Sequence, residues 1–238
     1  MTEHTTLLLH GGGGPATVAG LGAHLAESSA LLAPTHPGWN GTERPDSLSS
    51  VADLADHYSV LLERDDLSDV LVVGSSIGGW IAAELALRDT DRIAGLVLIN
   101  SGGIRVDGEP ITDVSQMSPA ELAAVSFHDA SAFPPRPAPT PEGLAILAGN
   151  TAALATYAGQ PYMHDPTLLG RLSALNVPTL VIWGESDGVF SVNYGRAFAA
   201  AIAGAQFETV ALAGHLPWIE QPVPVFAAVD RFRAALPH

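Results

Sequence analysis

A serine hydroxyl is a weak nucleophile unless a base takes its proton, and the base works only when a carboxylate orients it. Ser76 is the residue here whose setting suits that chemistry. It stands in Gly74-Ser75-Ser76-Ile77-Gly78, a G-x-S-x-G pattern. The apolar run Val70 to Val73 precedes it, and a helical pattern carrying Trp80, Ile81, Leu85 and Leu87 follows at once. Strand, sharp turn and helix in that order would hold the serine in a strained backbone conformation with its hydroxyl clear of the sheet. Gly74 and Gly78 are then required because a side chain would collide with the neighbouring strand or helix. The amide of Ile77 would lie at a helix N-terminus, aimed at a developing oxyanion.

The chain has nine histidines, so position must choose the base. His215 follows the last predicted strand in Leu212-Ala-Gly-His-Leu-Pro-Trp218, at the sheet edge where site loops gather. His10 adjoins a glycine run and reads as structural. His128 and His164 fall in an inserted segment, where either could line a pocket. His4, His24, His57 and His238 read as surface residues, and His36 is left open. For the carboxylate, Val181-Ile-Trp-Gly-Glu-Ser-Asp-Gly188 closes another strand. Asp187 sits three residues past the break at Gly184, with Glu185 as the competing choice. The end of the preceding strand carries Asn100 rather than an acid.

The glycine run His10-Gly-Gly-Gly-Gly-Pro15 allows three readings. A phosphate loop fails because no Gly-Lys-Ser/Thr follows. A dinucleotide fingerprint matches weakly through Gly11, Gly13 and Ala16, but Pro34-Thr-His-Pro37 stands where its acid belongs. The third reading is an oxyanion loop. First and third strands are typically neighbours where a doubly wound sheet reverses order, so this loop faces the turn bearing Ser76. The amide of Gly12 is assigned as the second oxyanion donor beside Ile77. Gly11, His128, Tyr162 and Trp218 are assigned to the substrate pocket; Trp39, Trp80, Tyr157 and Met163 read more readily as packing.

These residues need elements to hold them. Apolar runs at Thr6–His10, Leu31–Ala33, Val70–Val73, Leu96–Ile99, Thr179–Trp183 and Phe207–Leu212 read as strands covered on both faces. Helical patterns separate them at Ala16–Ser28, Ser49–Arg64, Ile77–Arg88, Thr167–Leu175, Val192–Ala203 and Val223–Leu236. The fold class is therefore α/β, a doubly wound and mostly parallel sheet of about six strands. Residues 103–166 break the rhythm. They hold a capping box with proline at the first helical position, Ser118-Pro-Ala-Glu121, then a proline-rich connector and a helix pattern from Glu142 to Tyr157. They read as a helical cap inserted into a core made of 1–102 and 167–238.

Composition excludes much else. With no cysteine, disulfides and thiolate chemistry are out. With no lysine, so are Schiff bases and a Walker lysine. A net charge of −15 argues against nucleic acid, which needs clustered cations. No apolar run approaches the roughly 18 residues of a membrane span, and no signal peptide is legible, so a cytoplasmic protein is expected. No histidine pair has zinc spacing, so neither metal nor cofactor is expected.

Taken together, His10-Gly-Gly-Gly-Gly-Pro15, His36-Pro-Gly-Trp-Asn-Gly41, Gly74-Ser-Ser-Ile-Gly-Gly79, Trp183-Gly-Glu-Ser-Asp187 and Gly214-His-Leu-Pro-Trp-Ile-Glu-Gln-Pro222 resemble the α/β-hydrolase superfamily. The resemblance implies Ser76 as nucleophile, His215 as base and Asp187 as its orienter, with a cap shaping the pocket. The family usually begins with an antiparallel hairpin; only about five residues precede the first strand here, so six strands, wholly parallel, are expected. A serine nucleophile counts against dehalogenase and epoxide hydrolase activity, which use aspartate in that superfamily. The leading expectation is a serine esterase for a small or medium apolar ester. Alternatives are a carbon–carbon hydrolase of the meta-cleavage-product type and a non-catalytic ligand-binding member. A dienoate substrate would want a pocket cation, for which Arg105, Arg136 and Arg171 are candidates. The expected partner is a small-molecule ester or dienoate; a homo-oligomer stays open.

Overall fold

A computed structural model describes residues 5–88, 91–132 and 139–237. Six strands form one sheet: β1 (Thr6–Leu9), β2 (Leu31–Leu32), β3 (Val70–Ser75), β4 (Ile93–Ile99), β5 (Thr179–Gly184) and β6 (Gln206–Val210). Their order is β2-β1-β3-β4-β5-β6, and every neighbouring pair is parallel. The order in which strands are added thus reverses at the neighbours β1 and β3, which pair from Thr6↔Leu71 to Leu9↔Gly74.

Side chains alternate across a strand, so each buried strand feeds two cores. Leu7, Leu9, Val70, Val72, Leu96, Leu98, Val181 and Trp183 point to one face. There they meet α2 (Val51–Arg64), α3 (Ile77–Ala86) and α7 (Val192–Ala200). Leu8, Leu71, Val73, Val97, Ile99, Leu180 and Ile182 point to the other, against α1 (Ala19–Ala26) and α9 (Pro222–Ala234). Coverage on both faces explains why these strands read as unbroken Val/Ile/Leu runs.

Local signals set several boundaries. Ser50 and Asp53 close a capping box at the start of α2. The helix expected from Ala16 begins as a 3-10 turn, Pro15–Val18, before α1. Gly14 enters that turn at φ 90°, and Thr17 Oγ1 donates back to its carbonyl at 2.7 Å. The last strand ends at Val210, two residues early, because Leu212 turns at φ 55°.

Between β4 and the short α6 (Leu168–Arg171) the chain leaves the sheet. It forms α4 (Pro119–Ser126), where the Ser118–Glu121 box is made, and α5 (Pro141–Ala158). A short α8 (Pro217–Glu220) precedes α9. Among the described residues no helix is long and apolar enough to cross a membrane.

One ion cluster fixes α3 from behind. Glu84 is buried, yet Arg171 reaches both its oxygens at 2.9 and 2.5 Å, and Arg88 bonds it at 2.7 Å. Burial pushes the carboxyl pKa up, but the hydrogen bonds from Arg171 and Arg88 outweigh it and leave it below the ordinary value.

Candidate active site

The turn after β3 is as tight as its sequence requires. Ser76 has φ 55° and ψ −121°, a conformation that side-chain-bearing residues rarely adopt. A Cβ on Gly78 would lie 2.2 Å from the carbonyl oxygen of Leu9, in β1. One on Gly74 would lie 2.3 Å from the carbonyl oxygen of Gly78. The Ser76 amide donates to Ile99 O, and its carbonyl accepts from Gly79, Trp80 and Gly102. Backbone bonds from β4, α3 and the segment after β4 therefore hold the strained residue. Ile77 opens α3, where the first amides have no partner in their own helix.

The glycine loop after β1 lies against this turn. A Cβ on Gly11 would sit 3.3 Å from Ser76 Cβ. The Gly12 carbonyl accepts from Trp39 Nε1 at 2.8 Å, and Leu154 of α5 lies 3.1 Å from where a Gly12 Cβ would be. Asn150, also on α5, accepts from the Asn40 amide and donates to the Gly13 carbonyl. Tyr157 stacks on Trp39 and bonds Pro37 O at 3.1 Å. One face of α5 thus covers the loop.

Behind the loop lies a buried histidine pair. The His36 amide donates to His10 Nε2 at 3.0 Å, so His10 carries its proton on Nδ1 and gives it to Gly11 O. His36 Nε2 donates to His10 O, which leaves its Nδ1 to accept from Tyr58 OH at 2.5 Å. Every ring nitrogen is used in the neutral form. Burial lowers the His10 pKa to about 4 and pushes His36 well below its usual value. An unfolded chain would bind protons near pH 6.5 that the native one refuses, so stability must fall as pH drops from about 6.5 toward 4. We expect His10 alone to remove on the order of 3 kcal/mol by about pH 4. Urea unfolding at pH 7, 6 and 5 checks this, and a flat stability across that range would contradict it.

Asp187 and His215 come from the loops that follow β5 and β6. Asp187 Oδ1 accepts from the amides of Val189 and Phe190 at 2.7 and 3.2 Å. Its Oδ2 accepts from Asn100 Nδ2 at 2.5 Å and faces His215 Nδ1 at 2.9 Å. That contact puts the His215 proton on Nδ1 and leaves Nε2 as the free basic nitrogen. The Asp187 side chain is fully buried, and His215 is nearly so. The structure gives Ser76 Oγ no hydrogen bond to a described residue, His215 included. Val125 O accepts from Gly188 N and Ser126 O from His215 N, so the C-terminal end of α4 fastens both loops. A helix C-terminus carries partial negative charge and favours a cation beside it.

Residues 6–229 match the alpha/beta hydrolase family. The chain belongs to that family. It is a hydrolase of the α/β type. The 2-hydroxymuconate semialdehyde hydrolase of Pseudomonas putida is 27% identical over 245 residues, covering 96% of this chain and 86% of its own length. An uncharacterised protein of Mycobacterium tuberculosis is 27% identical over 260 residues, covering 95% and 74%. Among solved structures, an esterase from Thermogutta terrifontis superposes with a TM-score of 0.75 at 23% identity, over 96% of this chain and 89% of that one. A meta-cleavage product hydrolase from Pseudomonas fluorescens gives 0.78 at 22%, over 96% and 90%. At these identities the two structures speak to the fold.

Other sequence-selected residues of this α/β-hydrolase lie elsewhere. Trp218 is buried in the core on the α1 and α9 side, its Nε1 donating to Thr17 O at 3.0 Å; it is core, not pocket wall. Tyr162 accepts from the Val114 amide and lines a separate surface cleft with Arg105 and His164. His128 is exposed and bonds Ser186 Oγ through Nδ1 at 2.8 Å, beside the acid loop. Glu185 accepts from Thr209 Oγ1, away from His215. His24 is more than a surface residue: it stacks on Phe226 and pairs with Asp230 at 3.0 Å. His57 is exposed. His4, His238 and Arg136 lie outside the described residues. Arg171 is taken by Glu84 and Asp165, and Arg105 is mostly exposed, 3.9 Å from Asp107.

Sequence reasoning missed four residues. The sequence marks Asn100 only as a non-acid at a strand end, yet it clamps Asp187. Phe190 lies beside the His215 ring with centroids 5.6 Å apart, and with Met163 it flanks Gly102. Leu154 covers Gly12. Glu220 accepts three backbone amides. Position after a strand was a signal for Asn100; the other three carry none beyond hydrophobicity or a helix end.

Proposed function

We propose that the chain is a cofactor-independent serine hydrolase that cleaves a small or medium, mostly apolar carboxylic ester through an acyl-enzyme. One observation carries the reading: the buried Asp187–His215 pair stands at the same sheet edge as a serine in a strained strand-to-helix turn, with a glycine loop against it. Ser76 Oγ attacks the ester carbonyl while His215 Nε2 takes its proton. Asp187 stabilises the imidazolium through Nδ1–H. The amides of Ile77 and Gly12 hold the oxyanion. The imidazolium then protonates the departing alcohol, and water, activated by the same nitrogen, releases the acid. Residues 103–166 serve as the cap, and Leu154 supplies an apolar wall against the glycine loop.

Carbon–carbon hydrolysis is the second reading, favoured by the Pseudomonas putida relative. Its substrates carry a carboxylate, and two of the three candidate arginines do not serve it well. Arg171 is held by buried Glu84, and Arg105 sits on an exposed segment. That balance favours the ester.

The test is a fluorophosphonate probe on the purified protein, with the adduct mapped by mass spectrometry. Labelling at Ser76, abolished in His215→Ala, is the expected result. Folded protein that takes no label, and turns over no ester in a chain-length panel, would sink the reading. Turnover of 2-hydroxy-6-oxo-dienoates faster than of any ester would move the second reading ahead.

A further inference from the structure

Glu220, the last residue of α8, takes no part in the proposed chemistry, yet its carboxylate accepts three backbone amides close to His215. Oε1 accepts from the amides of His128 and Asp129, at 2.9 and 3.2 Å. Oε2 accepts from the amide of Gly214 at 2.6 Å. Gly214 immediately precedes His215, and His128–Asp129 follow α4 after Phe127 alone. The carboxylate therefore bridges the loop that carries the base and the inserted segment. Around it the two backbones already touch: His215 N donates to Ser126 O at 2.7 Å, and a Cβ on Gly214 would lie 2.4 Å from that same oxygen. The acid loop joins them through Gly188 N to Val125 O and Ser186 Oγ to His128 Nδ1.

We propose that Glu220 is a positioning residue for His215. It fastens Gly214 to the turn after α4 and so sets the distance and angle at which the imidazole meets Asp187. This rests on the reading of His215 as the base. The inserted segment is on this view part of the mount of the base, and its α4 end stays in place when substrate enters. Charge-assisted bonds from three amides to one carboxylate are stronger than neutral ones, which suits a fixed brace.

The informative variant is Glu220→Gln. It keeps the shape but turns an NH2 group toward either Gly214 N–H or the His128 and Asp129 N–H pair, donor against donor. Three quantities are read on wild type and variant: the second-order rate of fluorophosphonate labelling at Ser76, the melting temperature, and the downfield NMR resonance of the His215 Nδ1 proton shared with Asp187. The expected result is labelling slowed 10- to 100-fold, loss or exchange broadening of that resonance, and a cooperative melt within a few degrees of wild type. Labelling within twofold of wild type overturns the proposal. So does slowed labelling with the Nδ1 resonance unchanged, since Glu220 would then act other than through the base. If Glu220→Gln does not fold, Glu220→Asp carries the test, its carboxylate one methylene short. Slowed labelling with a cooperative melt supports the brace, and a wild-type rate overturns it. A wild type that takes no label at Ser76 defeats the catalytic reading instead, and the Nδ1 resonance still decides whether Glu220 orders the Asp187–His215 pair.

Discussion

Asp187→Asn is expected to lower ester turnover and fluorophosphonate labelling by about four orders of magnitude, the loss typical of a base held in the wrong tautomer. The groups around it leave the new amide no harmless orientation. With NH2 at the Oδ1 position it faces two backbone donors, Val189 N and Phe190 N. With NH2 at the Oδ2 position it faces Asn100 Nδ2 and His215. Asn100 cannot simply reverse its amide, because its Oδ1 already accepts from Gly184 N at 3.2 Å. The strain is relieved only if His215 moves its proton to Nε2, and an Nε2–H cannot take a proton from Ser76. Glu185→Gln is the control. Its contact with Thr209 Oγ1 lies on the exposed side of β6, so activity should stay within about twofold. An Asp187→Asn enzyme within tenfold of wild type would show that the buried carboxylate does not orient the base.

A large effect on stability should come from one methyl group. In Gly78→Ala the new Cβ meets Leu9 O at 2.2 Å and His10 O at 2.5 Å, both backbone atoms of β1 and its loop. Neither can rotate away, and α3 is buried along its whole length, so the helix cannot retreat. Overpacking a core commonly costs about 1–3 kcal/mol when side chains can shift. Here backbone must move, and a loss above roughly 4 kcal/mol is expected, a large part of the stability of a domain this size. The variant should be insoluble or unfold far below wild type. Gly149→Ala is the opposite case. That residue lies inside α5 with nothing within 4 Å of the new Cβ, so alanine should stabilise by about 0.5–1 kcal/mol through helix propensity. Thermal melts of the pair decide it; equal melting temperatures would mean the turn is not packed as described.

The sheet was legible because burial on both faces forces continuous apolar strands, and such runs survive without knowledge of partners. The turn at Ser76 was legible because its glycines are a local requirement. What could not be read was the choice of partner across long sequence separations. Arg171 has the chemistry of a substrate anchor, and only the packing of α6 against α3 assigns it to Glu84. Trp218 has the look of a pocket aromatic, and only the path of α8 turns its indole to Thr17. Asn100 and Asp187 lie 87 positions apart, and nothing at either place announces the other. Between Glu185 and Asp187 only the path of the loop decides, turning Asp187 to His215 and Asn100 and leaving Glu185 beside Thr209 of β6.

The three groups at the sheet edge come from β3, β5 and β6, and about 140 residues separate Ser76 from His215. At the about 5–20 residues per second of protein synthesis, His215 is added on the order of ten seconds after Ser76. Through that interval the serine is an ordinary alcohol, since both the nitrogen that would activate it and the strand end that would carry the acid are still to be made. On the proposed mechanism a reactive serine thus arrives only with the finished sheet.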